Sequence, residues 1–275
     1  MLDFSNIQGI IFDLDGTLYE DTAHFQYYAQ RLAARLSRDV RDLYRRDVDS
    51  VWEGKHTLKL GRVYDRTQDL VLETTAGGRV LQAWDWKGKP LSAGQVQKIY
   101  PRPLEFDLTK IISIGDGWWI PAACAYHYGL EETYSAYLET RDYLSSGKAV
   151  LTPIPGLVSW LEGLKGEISL IVATNSNLED ANHILKSLGL EEIMDKIYPE
   201  AEKPRYAQEV FLKAAREAGI SEQRILSIGD NFLNDIFPAQ QLGMKTCLLD
   251  PHGLYREDAA DLVLKSLREL FQTPD

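Results

Sequence analysis

The run Ile10-Ile11-Phe12-Asp13-Leu14-Asp15-Gly16-Thr17-Leu18 constrains this chain more than any other nine residues. An apolar stretch of strand length ends in two aspartates, then a glycine and a hydroxyl residue. Side chains alternate along a strand, so Asp13 and Asp15 project the same way where the hydrophobic strand ends. Two carboxylates held that close repel by roughly 4 kcal/mol at an effective dielectric of about 20. A cation or a shared proton offsets that cost. From ordinary residue frequencies, D-x-D-G-T starts at a given position by chance on the order of once in 10⁵. A plain strand running into an Asx-Gly turn accounts for Gly16 and one aspartate, but not for both acids.

Clustered acids need a metal, a positive group and an anion cradle, and the chain offers a candidate for each. A second apolar strand, Ile168 to Ala173, ends in Thr174-Asn175-Ser176. A hydroxyl and backbone N–H groups at the start of a helix suit a phosphate oxygen. Glu202-Lys203-Pro204 then fixes a lysine ahead of the amphipathic stretch Tyr206 to Ala218. A third strand, Ile225 to Gly229, ends in Asp230, with Asp235 five residues later. Singly these signals are weak. In this order, with three of them closing apolar strands, they are strong.

On these residues the chain resembles the haloacid dehalogenase (HAD) superfamily, and within it the phosphatases. The family's first motif matches Asp13 to Thr17, its second Thr174, its third Lys203 before Pro204, and its fourth Gly229, Asp230 and Asp235. Pro153 to Leu157, and the segment from Asn234 to Met244, resemble the flanks of the second and fourth motifs. The resemblance covers residues 7–20 and 150–270. It implies a nucleophile at Asp13 that forms an aspartyl-phosphate. It implies a general acid and base at Asp15, whose backbone carbonyl also faces the metal. The implied metal is Mg²⁺, which takes oxygen ligands from one or two carboxylates, waters and substrate phosphate. Asp13 and Asp230 would supply the carboxylates, with Asp235 binding through water or supporting from behind. Lys203 would neutralise charge on the nucleophile and the transferring phosphoryl group. Thr174 and Asn175, with Gly16 and Thr17 of the first turn, would hold the substrate. A dehalogenase would also use Asp13 but typically lacks the acid at 15. A phosphomutase, or a silent binding protein on the same scaffold, is a weaker alternative. The substrate class implied is a small phosphate ester: a sugar phosphate, a phosphoglycolate-like molecule or a nucleotide.

Apolar strands near 8–13, 168–174, 224–229, 245–249 and 261–264 alternate with helical patterns at Leu157–Leu164, Ala181–Leu188 and Gln208–Ala218. That alternation predicts an α/β, Rossmann-like parallel sheet with helices on both faces, binding its ligand at the carboxyl ends of the strands. The expected catalytic core is 1–20 plus 150–275. Residues 21–149 read differently and occupy the place of an inserted cap that selects substrate. There, His24 to Arg46 reads as one long helix and Tyr134 to Leu144 as another. Val80 to Trp86 with Lys87-Gly88-Lys89 reads as a strand and hairpin turn in an otherwise mainly helical cap. Gly117-Trp118-Trp119-Ile120-Pro121 is either a sugar- or base-stacking loop or core. Asp116 echoes Asp230 but reads as a turn residue, and His24 as structural.

At 275 residues with a formal charge of −11, the chain is long enough for two cores and a poor fit to nucleic acid or an anionic membrane. Only Cys124 and Cys247 are present, with no disulfide or metal-finger spacing. Leu2-Asp3-Phe4-Ser5-Asn6 is acidic and lacks an apolar leader, so a cytoplasmic location is expected. The expected assembly is a monomer or homodimer.

Overall fold

The computed structural model describes residues 6–75, 77–105, 109–146 and 151–272. Residues 1–5, 76, 106–108, 147–150 and 273–275, which fall within the expected core and cap ranges, lie outside them. The chain divides into two compact units, Met1–Asp21 with Val150–Asp275, and Thr22–Ala149. Asp21 goes with the first unit because its carboxylate accepts from Thr152, N–H at 2.7 Å and hydroxyl at 3.1 Å.

In chain order the elements are β1 (Gly9–Phe12), α1 (Ala23–Arg35), α2 (Arg38–Trp52), β2 (Val63–Asp65), β3 (Leu70–Thr74) and β4 (Val80–Asp85). Next come α3 (Ala93–Ile99), β5 (Ile111–Ser113), α4 (Trp119–His127), α5 (Tyr134–Ser145), α6 (Leu157–Leu164) and β6 (Ser169–Ala173). The last are α7 (Leu178–Ser187), β7 (Lys196–Tyr198), α8 (Ala207–Ala218), β8 (Ile225–Gly229), α9 (Phe237–Gln241), β9 (Lys245–Leu249) and β10 (Leu262–Leu264).

The first unit carries a six-stranded parallel sheet in the order β10-β9-β8-β1-β6-β7. Alternation assigns its two faces. Ile10, Phe12, Leu170, Val172, Leu226 and Ile228 pack with Leu157 and Leu161 of α6 and Ile184 and Leu185 of α7. Ile11, Ile171, Ala173 and Ile225 pack instead with Phe211, Ala214 and Ala215 of α8. This is the expected parallel sheet with helices on both faces. Strand β1 pairs β6 on one side and β8 on the other, so the strand order reverses at its carboxyl end. In open α/β sheets that crevice is where ligands bind. Strand β7 was not anticipated, because three residues at a sheet edge show no usable period.

The Thr22–Ala149 unit departs from expectation twice. The segment from His24 to Arg46 is not one helix. Leu36 and Ser37 turn extended, with ψ of 152° and 154°. Arg41 caps the end of α1 by donating to the carbonyls of Leu36 at 2.9 Å and Ala34 at 3.3 Å. Second, the unit holds a four-stranded antiparallel sheet, β4-β3-β2-β5, where only a hairpin was expected. Tyr64, Val71 and Ile112 pack with the helical core, including Leu32, Val48 and Ala123. Val63, Leu72 and Ala83 pack with Val96 of α3. Asp116 is a turn residue as read, its carboxylate accepting the Trp118 N–H at 2.9 Å. Trp118 belongs to an aromatic cluster with Phe25, Tyr28 and Tyr137, centroids 5.1–5.5 Å away, which is the core alternative for that loop. His24 is buried in the same cluster. Among the described residues, no helix is long and apolar enough to cross a membrane.

Candidate active site

Three strand ends of the first unit build the site. Asp13 follows β1 directly and stays in the ladder, its N–H donating to Ile228 carbonyl at 2.9 Å. Thr174 follows β6 in the same way, bonded to Tyr198 carbonyl at 3.0 Å. Asp230 follows β8. Parallel register therefore gathers residues more than two hundred positions apart at one edge.

Lys203 is the centre of charge. Its ammonium lies 2.8 Å from Asp13 Oδ1 and 2.6 Å from Asp235 Oδ1, and its side chain is only 2% exposed. Burial opposes the ammonium, and the carboxylates of Asp13 and Asp235 overcome that and hold it charged, above its ordinary range. Burial also pushes the Asp13 carboxyl up to about 7 against the pull of Lys203, with Asp235 and Asp15 adding repulsion. One ammonium does not balance this cluster.

The loops that deliver these groups are tightly specified. Gly16 has φ +76°, and a Cβ there would lie 2.3 Å from Asp230 Oδ2, so only glycine lets the first turn pass the acid. A Cβ on Gly229 would likewise fall 2.3 Å from Asp235 Oδ2. Asp235 sits in a π-helical turn, Phe232–Ile236, a conformation frequent at functional sites. That turn is pinned by Ser227 Oγ donating to the Asp235 carbonyl at 2.7 Å. The approach to Lys203 passes through Glu200 and Glu202, both left-handed at φ +47° and +44°. Surroundings must impose such backbone on non-glycine residues. Here the Glu200 and Ala201 N–H groups bond to the Ser176 and Thr174 carbonyls at 2.9 and 3.0 Å.

The structure thus brings Asp13, Asp230, Asp235 and Lys203 together. Asp13, Asp230 and Asp235 each offer an oxygen within 4.8 Å of the others. Hard oxygen donors converging beside a desolvated carboxylate suit a small divalent cation, so the residues fit Mg²⁺. Thr174 is buried at the same edge, its Oγ1 accepting Ser176 N–H at 3.1 Å. Asn175 has a further contact that was not anticipated. Its carboxamide clamps the Lys203 backbone, Oδ1 accepting Lys203 N–H at 2.7 Å and Nδ2 donating to Lys203 carbonyl at 3.0 Å. The side chain braces the lysine. Thr17 is fully buried, and its hydroxyl has no partner among the described residues.

Two residues were missed. Tyr19 donates its hydroxyl to Asp15 Oδ1, and Ser176 donates to Asp15 Oδ2 at 3.2 Å. Tyr19 is fully buried, and a phenol four residues after Asp15 was the available signal, since a buried hydroxyl needs a partner.

This site lies at the carboxyl edge of a parallel α/β sheet with helices on both faces. A family model of haloacid dehalogenase-like hydrolases matches residues 7–243, and the chain belongs to that family. It is similar to the pyrimidine 5'-nucleotidase YjjG of Escherichia coli (strain K12), with 29% identity over 137 residues. That match covers 47% of this chain and 60% of the relative, so the chain spans less than two thirds of the relative's length. Among solved structures, the HAD-hydrolase YfnB of Bacillus subtilis, bound to magnesium, aligns with TM-score 0.53 and 18% identity over 96% of this chain and 97% of that one. The haloacid dehalogenase-like protein SP0104 of Streptococcus pneumoniae aligns with TM-score 0.54 and 16% identity over 97% of each chain. At these identities the likeness is one of fold.

Proposed function

We propose that the chain is a magnesium-dependent phosphatase acting on a small phosphorylated metabolite through an aspartyl-phosphate. The observation that carries it is the Lys203 ammonium held between Asp13 and Asp235, with Asp230 converging on the same point. Asp13 Oδ attacks phosphorus while the ester bond to the leaving oxygen breaks. Asp15 gives that oxygen its proton. Water then attacks phosphorus, its proton passes to Asp15, and Asp13 leaves as a free carboxylate. Lys203 pulls Asp13 toward its ionised form and offsets charge on the transferring group. Bound through Asp13, Asp230, the Asp15 carbonyl and, directly or through water, Asp235, Mg²⁺ would neutralise phosphoryl oxygens.

A dehalogenase would use Asp13 but has no proton to deliver, so the presence of an acid at Asp15 supports the phosphatase. The likeness to a pyrimidine 5'-nucleotidase supports a nucleotide among the candidate substrates. The Thr22–Ala149 unit is assigned to substrate selection, and the first unit to catalysis. The test is turnover of p-nitrophenyl phosphate, then of nucleoside monophosphates, sugar phosphates and phosphoglycolate ranked by kcat/KM. Chelation should abolish turnover and Mg²⁺ restore it. Full activity in excess chelator, or none on any ester with Mg²⁺, would overturn the proposal.

A further inference from the structure

Asp15 is held from two separate segments of the chain, at both of its oxygens. Tyr19 reaches Oδ1 from the turn after β1, and Ser176 reaches Oδ2 from the turn after β6. Both donors are rigid. Tyr19 is fully buried, and its backbone bridges to Asp15 on one side and Pro153 on the other. Ser176 is 2% exposed, its N–H bonded to Thr174 Oγ1 at 3.1 Å and its carbonyl to the Glu200 N–H at 2.9 Å. Neither residue belongs to the group of acids around Lys203.

A carboxyl group has about four lone-pair sites, two on each oxygen. A hydroxyl donated to each oxygen takes one site from each and fixes the plane of the group. A proton carried by Asp15 must then occupy a remaining site, pointing in a direction set by Tyr19 and Ser176. Proton transfer is sharply sensitive to such placement, because an acid misplaced by about 1 Å loses much of its advantage. A purely structural phenol needs only one partner of any kind. Two donors from different loops converging on opposite oxygens of one acid do more than satisfy a buried hydroxyl.

We infer that Tyr19 and Ser176 are positioning residues that aim Asp15 at the leaving-group oxygen, so that their removal selectively impairs esters whose leaving group needs a proton. This rests on Asp15 acting as the general acid of the proposed phosphatase. The experiment compares kcat/KM for an alkyl phosphate and for p-nitrophenyl phosphate, whose leaving group departs unprotonated. Wild type, Tyr19→Phe, Ser176→Ala and Asp15→Asn are assayed with saturating Mg²⁺. Tyr19→Phe keeps the buried ring, and it should lower the alkyl value about 10-fold or more while changing the aryl value about 2-fold or less. Ser176→Ala should shift the ratio in the same direction, and it carries the test where Tyr19→Phe folds poorly by thermal melting. Equal losses on both esters, or no loss on either, would overturn the positioning role. If Asp15→Asn separates the esters and neither hydroxyl variant does, positioning alone falls. If Asp15→Asn fails to separate them, the acid role and this inference fall together.

Discussion

In the Thr22–Ala149 unit, Asp65 and Asp47 are answered by neutral donors of their own, whereas at the carboxyl edge of the parallel sheet two acids share one lysine and a third lies alongside. Asp65, 2% exposed, accepts from Thr67 N–H and hydroxyl at 2.8 and 2.7 Å, from Gln68 N–H at 3.1 Å and from Tyr100 hydroxyl at 2.7 Å. Asp47 accepts from the Trp86 indole at 2.7 Å and the Tyr128 hydroxyl at 2.6 Å. Burial and the adjoining carboxylates push the Tyr100 and Tyr128 phenols up, which keeps both as donors. Among the described residues, Asp13 has no comparable set of neutral donors. It has Lys203, which Asp235 also holds, and its carboxyl is pushed up to about 7. The first arrangement completes a scaffold. The second leaves negative charge over, which a divalent cation can balance.

Removing the shared lysine should give the largest effect. Lys203→Met leaves two buried carboxylates facing each other and should cost about 3–5 kcal/mol in chelator, measured by denaturant unfolding. It should also remove nearly all turnover. A cost near zero would mean that Asp13 and Asp235 do not depend on the ammonium.

Metal binding should give the next effect, and pH should tune it. The Asp13 carboxyl titrates near 7 in the fold, against an ordinary value of 3.8. A raised value means its contribution to stability is present below 3.8 and is lost as pH rises through about 7. Mg²⁺ displaces that proton, so the stabilisation it confers should grow from about pH 5 to about pH 8. At 100 times its Kd it amounts to about 2.7 kcal/mol. Thermal melts with and without Mg²⁺ across that range check it, and a shift that shrinks with pH contradicts it.

The smallest effect falls in the other unit. Asp65→Asn keeps the shape but replaces one acceptor oxygen with a donor, and should cost about 1–2 kcal/mol. The gain from Mg²⁺ should be unchanged, because the two sets of acids do different work. If Asp65→Asn alters it, the contrast between the regions is wrong.

What the sequence revealed follows the same division. The parallel sheet was legible because Asp13, Thr174 and Asp230 each close an apolar strand, and Ile10, Leu170 and Leu226 repeat one pattern. The antiparallel sheet was not, because β2 and β5 are three residues each and too short to show alternation. The break at Leu36-Ser37 has neither glycine nor proline, and it depends on Arg41 capping carbonyls across the bend. Asn175 looked like a phosphate ligand beside Thr174, yet its carboxamide turns to the Lys203 backbone, a partner 28 positions away that no local pattern reveals. Ser176, 161 positions from Asp15, was invisible as its partner for the same reason, whereas Tyr19 lies only four positions away.

The central claim is that Asp13 carries the phosphoryl group. An acyl phosphate is reduced by borohydride to an alcohol, so rapid quenching during turnover with Mg²⁺ and reduction should convert residue 13 to homoserine, read by mass spectrometry of its peptide. The account predicts that conversion in the wild-type chain, none without substrate, and neither adduct nor turnover in Asp13→Asn. Steady phosphate release by Asp13→Asn, with residue 13 never modified in wild type, would contradict it.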